Sequence, residues 1–262
     1  MMVDTTAVVR TRTLLREGVD ASTPLPGVLD VRGVRTTPDT PTSAAGRLMN
    51  FSPLATIYER AWRPLFRVWM GGPAGPTVEK ELDYAVKDLG LTSGEVSVVL
   101  DLACGPGNFT RSIADVLRRS GVDDALVIGA DASDPMIARA SADTRDTDHI
   151  AYLLGDARSL PFDDGSIDAV CCYAALYLVP EPFRVLDEMI RVLRPGGRLA
   201  LMATVRRGPS PVSALGAVAA GTVGLEMFER DAFTTVLERH GFVDIVHRVH
   251  GAAQFVAGRR PA

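Results

Sequence analysis

The chain has 262 residues, 47% of them hydrophobic, which is enough to bury one α/β core with an extension. Its 28 basic and 32 acidic side chains leave a net charge of −4, so there is no electrostatic footprint for nucleic acid and a small-molecule partner is expected instead. The three cysteines, Cys104, Cys171 and Cys172, fall in or beside apolar runs and form no CxxC pair, so neither a disulfide nor a metal site is expected. Buried thiols suit a reducing compartment, and a cytoplasmic location is expected. The N-terminus lacks a signal-peptide apolar core, and the uncharged stretch 208–225 is too short and proline-interrupted for a membrane span.

In chain order, residues 1–46 are rich in Thr, Pro, Gly and Arg. They read as a flexible or weakly structured extension, with at best a short strand or hairpin over Leu25–Arg35. Residues 47–80 read as a helical segment, because Ile57, Tyr58, Trp62, Leu65, Phe66 and Trp69 recur at helical intervals. It serves either as a lid or as a packing helix. Residues 81–262 hold the main domain. There the β-branched run ending in Asp101 meets a Gly105-Pro106-Gly107 turn, and Asn108 opens an amphipathic helix with Phe109, Ile113, Val116 and Leu117. This is strand, tight turn, helix, in which a backbone without Cβ approaches a ligand closely and the helix start offers free N–H groups.

A second strand, Leu126–Ala130, ends in Asp131, and Ser133, Asp134 and Pro135 open the next helix. A third runs from Ile150 to Gly155, before Asp156 and Ala157. The fourth, Ile167–Cys172, leads to Tyr173. A helical stripe of Phe183, Leu186, Met189, Ile190 and Leu193 stops at Arg194-Pro195-Gly196-Gly197 before a fifth strand. Phe228–His240 predicts a helix closed by Gly241, and Phe242–Val249 with Ala252–Ala257 predicts a final hairpin.

The segments VVLDLACGPGNFT, LVIGAD, GDARSLPF and RVLRPGGRLALM, in this order, resemble class I S-adenosylmethionine (SAM) dependent methyltransferases. The lead-in FSPLATIYERAWRP resembles the branch related to quinone-biosynthesis methyltransferases. The resemblance is close over about residues 80–205. It implies a Rossmann-like fold: a seven-stranded, mostly parallel sheet with an antiparallel last strand and helices on both faces. It also implies SAM as methyl donor and its demethylated product, S-adenosylhomocysteine, as the second ligand. Carried over residue by residue, Asp101, Ala103, Gly105, Gly107 and Asn108 face the amino-acid end of the donor. Asp131 and Ala132 meet the ribose, and Asp156 with Ala157 the adenine. Met136 adds an apolar contact, and Tyr173 borders the reactive methyl.

A carboxylate at position 131 has the acceptor lone pairs to hold a diol. His149, His240, His247 and His250 are the candidate general bases, and none stands in a motif, so the catalytic residue is left open. The expected function is methyl transfer to a small, apolar molecule. One alternative is a protein that binds SAM without turnover. The other is a nicotinamide-dependent oxidoreductase, disfavoured because Thr110 stands where the dinucleotide fingerprint needs a third glycine.

Overall fold

The computed structural model describes residues 4–32, 76–146, 148–206 and 225–262. The predicted helix within 47–80, up to residue 75, and the stretch 207–224 lie outside the described residues. Among the described residues eight strands form one sheet: β1 (Val28–Asp30), β2 (Val98–Leu102), β3 (Leu126–Asp131), β4 (Ile150–Leu154), β5 (Ile167–Tyr173), β6 (Leu193–Thr204), β7 (Val243–His250) and β8 (Ala253–Arg259). Their spatial order is β1-β4-β3-β2-β5-β6-β8-β7, and β8 alone points opposite to the other strands. The described helices are α1 (Thr6–Arg12), α2 (Val78–Leu89), α3 (Asn108–Arg119), α4 (Asp134–Asp143), α5 (Pro182–Val192) and α6 (Ala232–Arg239), with a 3₁₀ turn at Leu176–Leu178.

Two apolar layers sandwich the sheet. On one face α2, α3 and α4 bury Ala85, Leu89, Ile113, Leu117 and Ile137 against Val99, Val127 and Tyr152. On the other, α1, α5 and α6 bury Val8, Leu186, Met189, Phe233 and Leu237 against Leu100, Ile128 and Val170. Covering both faces is what permits continuous apolar runs such as Ile150–Leu154, every residue of which is buried. No helix among the described residues is long and apolar enough to cross a membrane.

The sheet has eight strands where seven were expected, and the additional one is β1. It pairs in parallel with β4, Val28 opposite Tyr152 and Asp30 opposite Leu154, and an isolated bridge joins Ser22 to Asp30. Helix α1 lies against β3 and β4, with Ala7, Val8, Val28 and Leu29 fully buried. Residues 4–32 thus hold more structure than a flexible or weakly structured extension. The reason is tertiary: a three-residue strand carries no periodic signal, and it is specified by the open edge of β4 and by α1 beneath it.

Two further elements differ in detail. Helix α5 buries Val185, Leu186, Met189 and Ile190, whereas Phe183 is 38% exposed and packs edge-on against Phe228 and at a tilt against Phe233. The helix ends at Val192, and Leu193 already pairs with Ile167 as the first residue of β6. Helix α6 starts at Ala232, not Phe228, and closes as expected at Gly241 in the left-handed conformation. The N–H groups of Gly241 and Phe242 reach back to the carbonyls of Glu238 and Leu237.

Candidate functional site

Parallel pairing brings the carboxyl ends of β2, β3, β4 and β5 into one row: Asp101 lies opposite Gly129 and Cys171, and Asp131 opposite Leu154. A crevice beyond this row, where the strand order reverses, is where open α/β sheets bind ligands. The Cys104–Gly107 turn fills its middle. The Cys104 N–H donates to the Ala130 carbonyl and the Gly107 N–H to the Cys104 carbonyl. Ala103 and Gly105 both take left-handed φ values, 55° and 54°, so the turn is wound more tightly than most L residues favour.

Gly107 is required. Its φ is 75°, and a Cβ there would stand 2.4 Å from the Tyr152 hydroxyl and 3.0 Å from Ala140 Cβ. Gly105 differs, because a Cβ there would meet nothing within 4 Å. One side of the turn is therefore packed hard on α4 and β4, and the other is open toward the crevice. Helix α3 starts directly behind, with Gly107 as N-cap and no side chain capping it. Its first N–H groups are available to an anionic group.

Asp131 ties the second strand end to this turn. Its Oδ2 accepts from the Gly105 N–H and its Oδ1 from the Ser133 N–H, both at 2.9 Å. Burial raises its pKa above the ordinary carboxylate value, against the backbone donors of Ser133, Gly105 and Ala132. A carboxylate has about four acceptor sites, so these three donors leave room for a further one. Ala132 is exposed beside it, and Met136 is buried on α4 with 3% exposure.

Asp101 is 2% exposed and accepts a 2.6 Å hydrogen bond from Thr110 Oγ1, with Cys171 Sγ at 3.6 Å from its other oxygen. Asn108 sits at the first position of α3 and accepts from Arg111, whose other guanidinium nitrogen donates to the Pro106 carbonyl. Asp156 is half-buried at the end of β4, and Ala157 packs on the core beside it. Arg158 already holds the Asp156 carboxylate: Nε lies 3.1 and 3.0 Å from its two oxygens and Nη2 2.7 Å from Oδ2. Burial opposes ionisation there, but these bonds outweigh it and hold the carboxyl below its ordinary value. Tyr173 ends β5 with its ring 4.8 Å from that of Phe109, and burial pushes its phenol well up.

The structure thus gathers Asp101, Ala103, Gly105, Gly107, Asn108, Asp131 and Tyr173 around the turn and places Ala132, Met136, Asp156 and Ala157 along the adjoining strand ends. Three contributors escaped sequence reasoning. Thr110 registered only as a missing glycine, yet its hydroxyl anchors Asp101. Room for it comes from Gly129 on β3, where a Cβ would lie 2.9 Å from Thr110 Oγ1. Tyr152 packs under the turn, its hydroxyl bonded to Thr144 at 2.8 Å and its pKa pushed up to about 12 by burial. Arg158 belongs to the GDAR wording but was read only as part of a run. Of the histidines, His149 binds Asp146 ahead of β4 and His240 is exposed near Asp187, both away from the crevice. His247 bonds Gln254, and His250 bonds Tyr84.

The sheet order, with its one antiparallel strand and the glycine turn after β2, is the fold of the SAM-dependent methyltransferases. Comparison with known proteins agrees: residues 100–201 match the family model described as a methyltransferase domain. The chain is 39% identical over 108 residues to a demethylmenaquinone methyltransferase of Lactococcus lactis, covering 40% of this chain and 41% of that one. Among solved structures it is similar to a SAM-dependent methyltransferase from Thermotoga maritima, with a TM-score of 0.56 at 18% identity, covering 80% of this chain and 98% of that one. It is also similar to Haemonchus contortus phosphoethanolamine N-methyltransferase 2 in complex with S-adenosylhomocysteine, with a TM-score of 0.59 at 16% identity, covering 82% and 60%. The chain spans less than half the length of the curated relatives it matches.

Proposed function

We propose that the protein is a SAM-dependent methyltransferase acting on a small, apolar acceptor in the cytoplasm. Its methyltransferase domain takes in α2 to β8, with α1 and β1 closing the far edge of the same sheet. The observation that carries this reading is the turn locked by Asp131. Gly107 presses on Tyr152, Gly105 meets open space, and the carboxylate that fixes Gly105 retains acceptor capacity for a ribose hydroxyl. SAM would supply an activated methyl on sulfur, so the protein's task is to hold, orient and exclude water.

In this reading the start of α3 and the Cys104–Gly107 turn receive the amino-acid end of the donor, with Asp101 behind them. Asp131 and Ala132 receive the ribose. Ala157 offers its backbone to the adenine, Asp156 shares its carboxylate between Arg158 and the base, and Met136 backs the adenosine. Tyr173 borders the methyl. Titrating the chain with SAM, S-adenosylhomocysteine and NADH tests the proposal: the first two are expected to bind and NADH is not. Binding of NADH alone would overturn it.

A further inference from the structure

The loop after β4 and the first turns of α5 are tied together, and Arg158 is the tie that touches Asp156. Its backbone N–H donates to Asp156 Oδ1 at 2.8 Å, Nε lies 3.1 and 3.0 Å from the two carboxylate oxygens, and Nη2 lies 2.7 Å from Oδ2. Nη1 reaches the other way and donates to Glu181 Oε1 at 3.2 Å. Arg184 Nε donates to the Arg158 carbonyl at 3.1 Å, and Glu188 Oε2 accepts from the Leu160 N–H at 2.7 Å. A planar guanidinium grips two carboxylates at once in a fixed geometry, which a lysine ammonium does not match.

Glu181 is the N-cap of α5 with φ 55° and ψ 56°, a left-handed conformation that a residue with a Cβ adopts only under constraint. Two arginines supply constraint: Arg158 on Oε1, and Arg184 at 3.8 Å from Oε2. The Glu181 side chain is 57% exposed and that of Arg158 only 13%. The pair therefore buries little, and what it does is aim the half of the guanidinium that faces Asp156. Three donor groups of Arg158 sit on about four acceptor sites of that carboxylate, so one further donor fits. Burial works against ionisation of Asp156, and the Arg158 bonds, with the charge of Arg184 behind them, outweigh it. A carboxylate held in this way accepts hydrogen bonds and has none to give.

We propose that Arg158 is a positioning residue for the donor's base: braced by Glu181, it fixes Asp156 as an acceptor, so that the site takes a purine with an exocyclic amine and rejects one with a carbonyl there. This role rests on the methyltransferase reading for placing a base against Asp156, and on the Arg158 fork for how that carboxylate discriminates. A base with a 6-amino group gives Asp156 its remaining donor. A base with a 6-keto group sets one acceptor against another and leaves both unpaired. Without the fork the carboxyl is free to turn and to take up a proton, and the distinction fades.

The test is calorimetric titration of the full chain with S-adenosylhomocysteine and with S-inosylhomocysteine, which carries a carbonyl in place of the amine. The parent is expected to prefer the first by about tenfold or more, the worth of one satisfied against one unpaired buried acceptor. Arg158→Met keeps an unbranched apolar stem and removes the fork, and is expected to cut that ratio to about threefold or less. Glu181→Gln loosens only the brace and is expected to cut it part of the way. A merely structural Arg158 would weaken both ligands alike and leave the ratio where it was. If Arg158→Met melts early, Glu181→Gln, at an exposed position, still decides. Equal binding of the two ligands by the parent, an unchanged ratio in folded variants, or tighter S-adenosylhomocysteine binding by Arg158→Met overturns the positioning role. The last result would make Arg158 a competitor for Asp156. Failure of the parent to bind either ligand instead overturns the methyltransferase reading on which the role rests, so the two failures are separate.

Discussion

Asp131, Gly107 and Thr110 each do one physical job at the turn, and each job can be removed alone. Asp131→Ala deletes the acceptor that fixes Gly105 and, on the proposed reading, the carboxylate that would hold the ribose. Charge-assisted hydrogen bonds of this kind are worth about 1.5–3 kcal/mol, so SAM binding measured by calorimetry should weaken roughly tenfold to more than a hundredfold. Asp156→Ala should cost less, because Arg158 already occupies that carboxylate. The reverse ranking would show that the adenine contact dominates. Gly107→Ala drives a methyl to 2.4 Å from the Tyr152 hydroxyl at a φ of 75°. A destabilisation of about 1–3 kcal/mol is expected in denaturant titration, partly recovered by adding Tyr152→Phe. No recovery would place the cost in the backbone alone.

The turn itself was legible in the sequence because it is local: a strand end, two glycines and a helix start lie within a dozen residues. The role of Thr110 was not, since its meaning depends on Gly129, nineteen residues later and on another strand. Tyr84 and His250 are farther apart still, 166 positions, and only sheet closure brings them together.

At the scale of elements, the five strands from β2 to β6 and the closing hairpin were readable from apolar runs bounded by turns. Helix α1 was not, and β1 was legible only as a short strand or hairpin somewhere over 25–35, because each is specified by the surface it covers. Leu29→Ala, at a fully buried position, is expected to cost about 2–5 kcal/mol by denaturant unfolding. A change below half a kcal/mol would mean that β1 is dispensable. The start of β5 supplies a different test. Asp168 accepts from the Ser97 and Val98 N–H groups at 2.9 and 2.8 Å and pairs with Arg194. Burial opposes its ionisation, but the backbone donors and Arg194 outweigh it and hold its carboxyl below the ordinary value.

A carboxyl depressed in the folded state contributes stability that is present above its unfolded pKa, about 3.9, and lost as pH falls through the folded value. Asp168→Asn should therefore be less stable than the parent at pH 7, with the gap narrowing on acidification below pH 4. A gap that widened toward low pH would contradict the assignment.

For the whole molecule, two apolar layers hold a mostly parallel sheet, and the proposed donor site uses its carboxyl edge. On that reading the donor lies over β2, β3 and β4, with Tyr173 at the end of β5 beside it. This placement follows from strand order, since the order reverses between β2 and β5 and opens a crevice there. Fold alone warrants the class and leaves the chemistry to the site, so the decisive evidence is what the site holds. The most direct measurement is calorimetric titration of the purified chain with SAM, S-adenosylhomocysteine and NADH in parallel. The account predicts one site per chain for SAM and its demethylated product, weakened by Asp131→Ala, and no heat from NADH. Binding of NADH in place of the other two, or SAM binding that ignores Asp131, would contradict it.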